Sequence, residues 1–330
     1  FYMKELPTWV QAFNAEERAQ KYTKSGWNTL YPIESYLASA PDNGEFSGDF
    51  IPDYENAEKS QQAFLAQPQM NWEAMYRANQ NPVVDSNATI IGYEPAHSHY
   101  VLYEDRTDDK TLAVNSNFNS QLNENLMLNA GITFRDLKSH NYQKLLDLLG
   151  GAYFEDIDGF YSGPQAQSDL NNPNRLVKEG DTYGYNYNLL ARVIEAFTQF
   201  KFTYNKIDFY LAQTFSKTNY QREGLYRNGI YPTISFGNSQ KINFENFGFK
   251  GGILFKISGN QSLNCNAAHL TRAPNLRNSF SNARLNNSVV NGLESETHNS
   301  VDVTYIYRTP KIKTRLTAYY AAISNSTKIS

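Results

Sequence analysis

A two-residue alternation of apolar and polar side chains, resumed after each tight turn, constrains this chain more than any other feature. Leu126, Leu128, Ala130, Ile132 and Phe134 alternate with Asn125, Asn129, Thr133 and Arg135. Successive side chains of a β-strand point to opposite faces, so this run reads as a strand with one apolar and one polar face. Phe247, Phe249, Ile253, Phe255 and Ile257 repeat the pattern against Gly248, Lys250, Gly252 and Lys256. Val301, Val303, Tyr305 and Tyr307 do so against Ser300, Asp302 and Thr304, and Ile312, Leu316, Ala318 and Tyr320 against Lys313, Arg315 and Thr317. The turns keep these faces in phase. Tyr204-Asn205-Lys206-Ile207 reads as a two-residue hairpin turn, carrying the face of Phe200, Phe202 and Tyr204 onto Ile207, Phe209 and Leu211. A one-residue slip would send one strand's apolar set to the wrong side.

Tight turns alternate with long connections. Ser120 to Glu124, Ser258 to Gln261 and Arg308 to Lys311 are short, whereas residues 139–182, 217–241 and 272–297 are long. Structureless loops beyond about 12–15 residues are uncommon in compact domains and are usually functional. Short turns on one rim and long extracellular loops on the other mark transmembrane barrels. The expected fold is therefore all-β: an antiparallel transmembrane β-barrel with long, partly helical extracellular loops. Residues 100–330 supply its strands, about eight of them after residue 111, near the ~10-residue length that a bilayer requires. Residues 1–99 read as an extracellular loop region with short helices and little sheet. The helices fall at Trp9–Thr23, at Ala57–Gln67, and from a cap at Asn71 through Arg77. The return to the sheet reads as a hairpin: Tyr100 to Glu104, a turn at Asp105 to Asp109, then a strand from Thr111. A small separate helical domain is the alternative for this first third.

Composition narrows the classes. A net charge of −3 with 19% charged residues offers no clustered basic face, so nucleic acid is not an expected partner. Cys265 is the only cysteine, which excludes an internal disulfide framework. The 24 Tyr and 20 Phe sit in a chain of mean hydropathy −0.60, as fits an aromatic outer surface around a wet interior. A soluble carbohydrate-binding sandwich shares that composition. No apolar run is long enough for a transmembrane helix, and no secretory leader is evident. The chain opens at Phe1 and ends at Ser330 with a strand still in progress, so a piece of a longer protein is expected.

Three stretches resemble the barrel of TonB-dependent outer-membrane receptors of the Bacteroidetes type. They are Tyr100-Val101-Leu102-Tyr103-Glu104-Asp105-Arg106, Tyr142 through Gly151 in a loop, and Thr271-Arg272-Ala273-Pro274-Asn275 followed by Leu293-Glu294-Ser295-Glu296. The last pair is similar to a strand end ending in "RAP" and an acidic segment before the next strand. The resemblance covers about two thirds of the chain, from Tyr100 onward. It implies part of a barrel of about 22 strands, residence in the outer membrane of a Gram-negative bacterium, and contact with outer-membrane lipids. It also implies import of a large nutrient such as a metal chelate, oligosaccharide or peptide. The TonB system would drive import through a plug domain, which is not visible in this sequence.

Few residues look catalytic, and no enzyme activity or cofactor is expected: the serine-elbow, paired-histidine metalloprotease and phosphate-loop motifs are all missing. Ligand contact is expected from the loop aromatics Tyr153, Phe160, Tyr161, Tyr226 and Tyr231, since rings line ligand sites. Asp156 and Asp158 ahead of Gly159 offer hard oxygen ligands suited to calcium, although the spacing is not that of an EF-hand. An ordinary acidic turn competes with that reading. Leu145, Leu146, Leu148 and Leu149 before Gly150-Gly151 read as a short helix with a glycine stop. The leading function is the wall and capturing loops of a transporter. The alternative is a barrel serving as scaffold or partner subunit for a surface lipoprotein or envelope complex.

Overall fold

Alternation of side chains becomes a sheet where each strand finds a neighbour in register, and here every long strand does. The computed structural model describes residues 71–328, with Gln62, Leu65 and Ala66 besides. Those three are helical; the rest of the expected Ala57–Gln67 helix, and all of Trp9–Thr23, lie outside the described residues. The chain divides into two units, Phe1–Ala74 and Met75–Ser330. Helix α1 (Trp72–Ala78) begins as expected, with the Asn71 side chain accepting a hydrogen bond from the Ala74 N–H at 3.0 Å. A hairpin not foreseen in the sequence follows, β1 (Gln80–Val84) paired with β2 (Ile90–Pro95).

The main sheet is an antiparallel meander of very long strands. They are β3 (Leu102–Asn123) and β4 (Leu126–Asp147), then, after a small pair β5 (Phe154–Glu155) and β6 (Leu176–Val177), β7 (Thr182–Thr203) and β8 (Ile207–Gly224). After a short β9 (Gly237–Asn238) come β10 (Ile242–Ser258), β11 (Gln261–Arg272), β12 (Glu296–Arg308) and β13 (Lys313–Ser324). Their spatial order is β3-β4-β7-β8-β10-β11-β12-β13, with β9 added to β8. Among the described residues, β3 and β13 form the two margins of the sheet.

The register shows that the faces stay in phase across all eight long strands. Val114 and Phe118 of β3 lie beside Phe134 and Ala130 of β4, and Leu128, Phe200, Leu211, Gly251, Ala267, Val301 and Tyr320 follow one another as direct neighbours across the other seven. The apolar band on this face spans nine residues in four successive strands: Leu126–Phe134, Ile194–Phe202, Ile207–Phe215 and Phe247–Phe255. Its large side chains are exposed, Leu211 at 59% and Phe249 at 57%. Aromatic pairs stand at its two ends, Phe202 on Phe209 at 4.4 Å and Phe215 on Phe247 at 5.1 Å. The opposite face carries Asn129, Thr133, Asn266, Asp302 and Thr304.

Two sequence expectations are corrected. Asp105–Asp109 is no turn: β3 runs straight through it, with Asp105 opposite Gln143 and Asp109 opposite Ser139. Arg106 at 3.1 Å and the Tyr142 hydroxyl of β4 at 2.8 Å hold Asp108, so that carboxylate is partnered within the ladder rather than in a turn. Leu145–Leu149 is no helix: β4 continues to Asp147, and the chain reverses at Leu149 (φ 47°) and Gly150 (φ 81°). Leu145 and Leu148 are buried against Val177 and Tyr183, so cross-strand packing overrides the helical spacing. The strands thus outrun the expected loop limits, and the long connections shrink to 148–181, 225–241 and 273–295.

Asn79 joins the hairpin to the sheet. It is fully buried, its amide donates to the carbonyls of Tyr100 (2.7 Å) and Leu148 (2.8 Å), and its oxygen accepts from the N–H groups of His99 and Tyr100. One side chain thereby satisfies backbone groups on both sides of a chain crossing.

Candidate functional site

Beyond the apolar band, β3, β4, β7, β8 and β10 continue as a polar extension, and the three long connections gather at that end. They interlock through their backbones. The first (148–181) bonds to the second (225–241) from Leu170 N to Arg227 O at 2.7 Å and from Gly229 N to Gln167 O at 2.9 Å. The second meets the third (273–295) from Asn287 N to Ile234 O at 2.7 Å. Glycine is required at the first junction, because a Cβ on Gly229 would collide with the Pro164 and Gln165 carbonyls.

The first cluster in this layer centres on Asp156, whose carboxylate is almost entirely buried. One oxygen pairs with Arg175 at 2.6 Å and the other accepts the Gly184 N–H at 2.8 Å. Arg175 also reaches the Tyr226 hydroxyl at 2.8 Å and the Thr182 carbonyl, to which Tyr226 itself donates at 2.8 Å. Burial opposes the charge on Arg175, but Asp156 and Tyr226 outweigh it and the pKa lies above the ordinary arginine value. Burial raises the Tyr226 phenol, partly offset by Arg175. A raised phenol supports this cluster fully below the free-tyrosine value of about 10, and that support is lost only as pH climbs through the higher folded value. Arg175→Leu would leave the Asp156 charge buried without its partner, at a cost of about 3 kcal/mol. Hydrogen exchange should show faster opening of residues 153–184, with the apolar band unaffected.

The second cluster centres on Arg222, 1% exposed on the polar face at the end of β8. Its guanidinium donates to the carbonyls of Ala283 (2.6 Å) and Ser235 (2.9 Å) and to the Asn287 side chain (2.5 Å). It stacks 5.0 Å over the Tyr187 ring. One buried cation therefore ties the second and third connections to the sheet. Beneath the third connection, Phe280 packs on Tyr187 and Leu189. Its far side reaches β3, where Arg284 pairs with Asp105 at 3.2 Å and Arg277 meets Thr107 at 3.2 Å. Arg272 pairs with Glu296 at 2.9 Å across β11 and β12, which brings the two halves of the quoted arginine–glutamate motif together. Between the second and third connections lies a cleft of about 850 Å³.

The residues singled out in the sequence do not form one patch. Tyr226 joins Asp156 through Arg175, so both belong to the first cluster. Asp158 accepts the Phe160 N–H at 3.0 Å, as in an ordinary acidic turn. Calcium at Asp156 would have to displace an arginine, and among the described residues no three His, Cys, Asp or Glu side chains gather as a metal site. Phe160 and Tyr161 are exposed, Tyr231 is half-buried on the second connection, and Tyr153 lies 5.6 Å from the His97 ring. Sequence reasoning missed Arg175 and Arg222. Nothing near Arg222 distinguishes it from Arg192, an exposed arginine paired with Asp136 at 2.8 Å.

No known family profile matches the chain. Short stretches resemble curated proteins: 50 residues are 46% identical to a calcium-transporting ATPase of Myroides odoratus. A match of 49 residues is 49% identical to the alkaline phosphatase PhoV of Synechococcus elongatus, and one of 48 residues is 46% identical to the alkaline phosphatase PafA of Elizabethkingia meningoseptica. These matches assign no family. They cover 14–15% of this chain, which spans only 9% of the length of each relative.

Proposed function

We propose that this chain forms wall and capturing loops of an outer-membrane β-barrel, within a receptor of the TonB-dependent kind that imports a large nutrient. The observation that carries this reading is the exposed apolar band. Nine residues at ~3.3 Å each, tilted by ~40°, rise ~23 Å, close to the ~25 Å lipid-facing band of such barrels. A soluble sheet with that face bare would aggregate. The aromatic pairs at both ends of the band fit interfacial girdles. Among the described residues no helix is long and apolar enough to cross a membrane, which leaves crossing by strands untouched. The polar extension and interlocked connections are then the extracellular capturing end. The TonB system, acting through a plug domain, is the energy source this reading implies for the whole protein.

Cell fractionation tests it. The native protein should sediment with the outer membrane, require detergent for release, and show an intact mass well above 37.6 kDa. Recovery from the soluble fraction without detergent would overturn the reading. The short phosphatase matches define a second function to be tested, hydrolysis of phosphate esters. Turnover of p-nitrophenyl phosphate by the same purified protein would establish that function, and none is expected.

A further inference from the structure

We infer that the cleft between the second and third connections is a binding site for a short, uncharged, extended peptide with aliphatic side chains. The assignment rests on the receptor reading only for its purpose, capture ahead of import.

Three features of the lining carry it. First, no charged side chain lines the cleft. A ligand bringing a carboxylate, phosphate or ammonium group onto this lining would lose part of its hydration with no counter-charge to replace it, which favours uncharged ligands. Second, the apolar part is aliphatic: Ile234, Val289, Val290 and Leu293, with Phe236 as the single aromatic ring. A sugar ring stacks its C–H face on aromatic platforms, whereas aliphatic walls accept aliphatic side chains. Third, Asn238, Gln240 and Asn291 stand among these residues, and each primary amide both donates and accepts. That is what the alternating N–H and C=O groups of an extended peptide require. The volume of about 850 Å³ falls within the ~300–1,000 Å³ of small-ligand sites, which limits the occupant to a short segment.

The cleft is also preformed. Arg222 pins both walls by bonding Ser235, Ala283 and Asn287, and Asn287 N–H bonds to the Ile234 carbonyl. Ile234 and Phe236 are nonetheless 42% and 53% exposed, so apolar surface stands open on a rigid frame. Preorganisation of this kind lowers the ordering cost of binding.

The test uses the full-length protein purified in detergent and a capped hexapeptide, acetyl-Ala-Leu-Asn-Val-Leu-Ala-amide, titrated by calorimetry. Comparators are the same peptide with both leucines replaced by aspartate, and maltohexaose. The neutral peptide should bind. Ile234→Asp and Asn238→Asp should each weaken it at least tenfold, and neither comparator should compete. Absence of binding, equal affinity in both variants, or displacement by maltohexaose would overturn the assignment. Specific binding by protein that fractionates as soluble would sink the receptor reading and leave the cleft's ligand class standing.

Discussion

Leu211→Arg is expected to destabilise the folded protein in a bilayer by about 2–4 kcal/mol, the cost of an arginine at the lipid-facing midplane of a barrel. Leu211 is the central residue of its nine-residue band and is 59% exposed. That exposure gives the experiment its power. In water, replacing an exposed surface side chain changes stability by no more than about 0.5 kcal/mol, so a large loss arises only if the face meets lipid. Ser300→Arg is the matched control, since Ser300 lies on the opposite face, beside Ala268 and Ala321. It should be near neutral. Urea titration of the full-length protein in phospholipid vesicles, followed by heat-modifiable mobility on gels, reads the difference. Equal, small effects of both substitutions would remove the membrane from the account.

Arg222→Leu is the second large effect. It deletes a buried cation and leaves the Ser235 and Ala283 carbonyls and the Asn287 oxygen without their donor. Each orphaned buried acceptor costs about 1–3 kcal/mol, and relaxation with water entry brings the total to about 3–5 kcal/mol. The loss is local. Hydrogen exchange within residues 225–241 and 273–295 should speed up by roughly 150- to 5,000-fold, with the band strands keeping their protection. Arg192→Leu supplies the contrast: its ion pair with Asp136 is more than 40% exposed on both sides, and such pairs contribute less than about 1 kcal/mol. Loosening the connections should also weaken binding at the cleft, whose two walls Arg222 holds.

The legible and illegible parts of this protein divide along a physical line. Strand identity and facing were legible because period two is a local property: Phe247, Phe249, Ile253 and Phe255 carry it without reference to any neighbour. The tight turn at Asn205-Lys206 was legible for the same reason, and the Tyr204 N–H does bond to the Ile207 carbonyl at 3.0 Å. Strand length was not legible. Past the apolar band the extension buries a mixed face under the long connections, with Tyr187 and Leu189 beside Arg222, so the apolar–polar alternation fades although the hydrogen-bond ladder goes on. Asp105–Asp109 therefore read as a turn, and Leu145–Leu149, apolar at helical spacing, as a helix.

The sequence by itself determined an antiparallel sheet of alternating strands with tight turns at one end and long connections at the other, because each of those properties is written within a few neighbouring residues. Only the tertiary structure decided which polar residues matter. Arg175 and Arg222 look like any strand-end or loop arginine until chain segments up to 65 residues away close over them and withdraw water. Burial and partners, not residue type, make them the posts on which the connections and the cleft are hung.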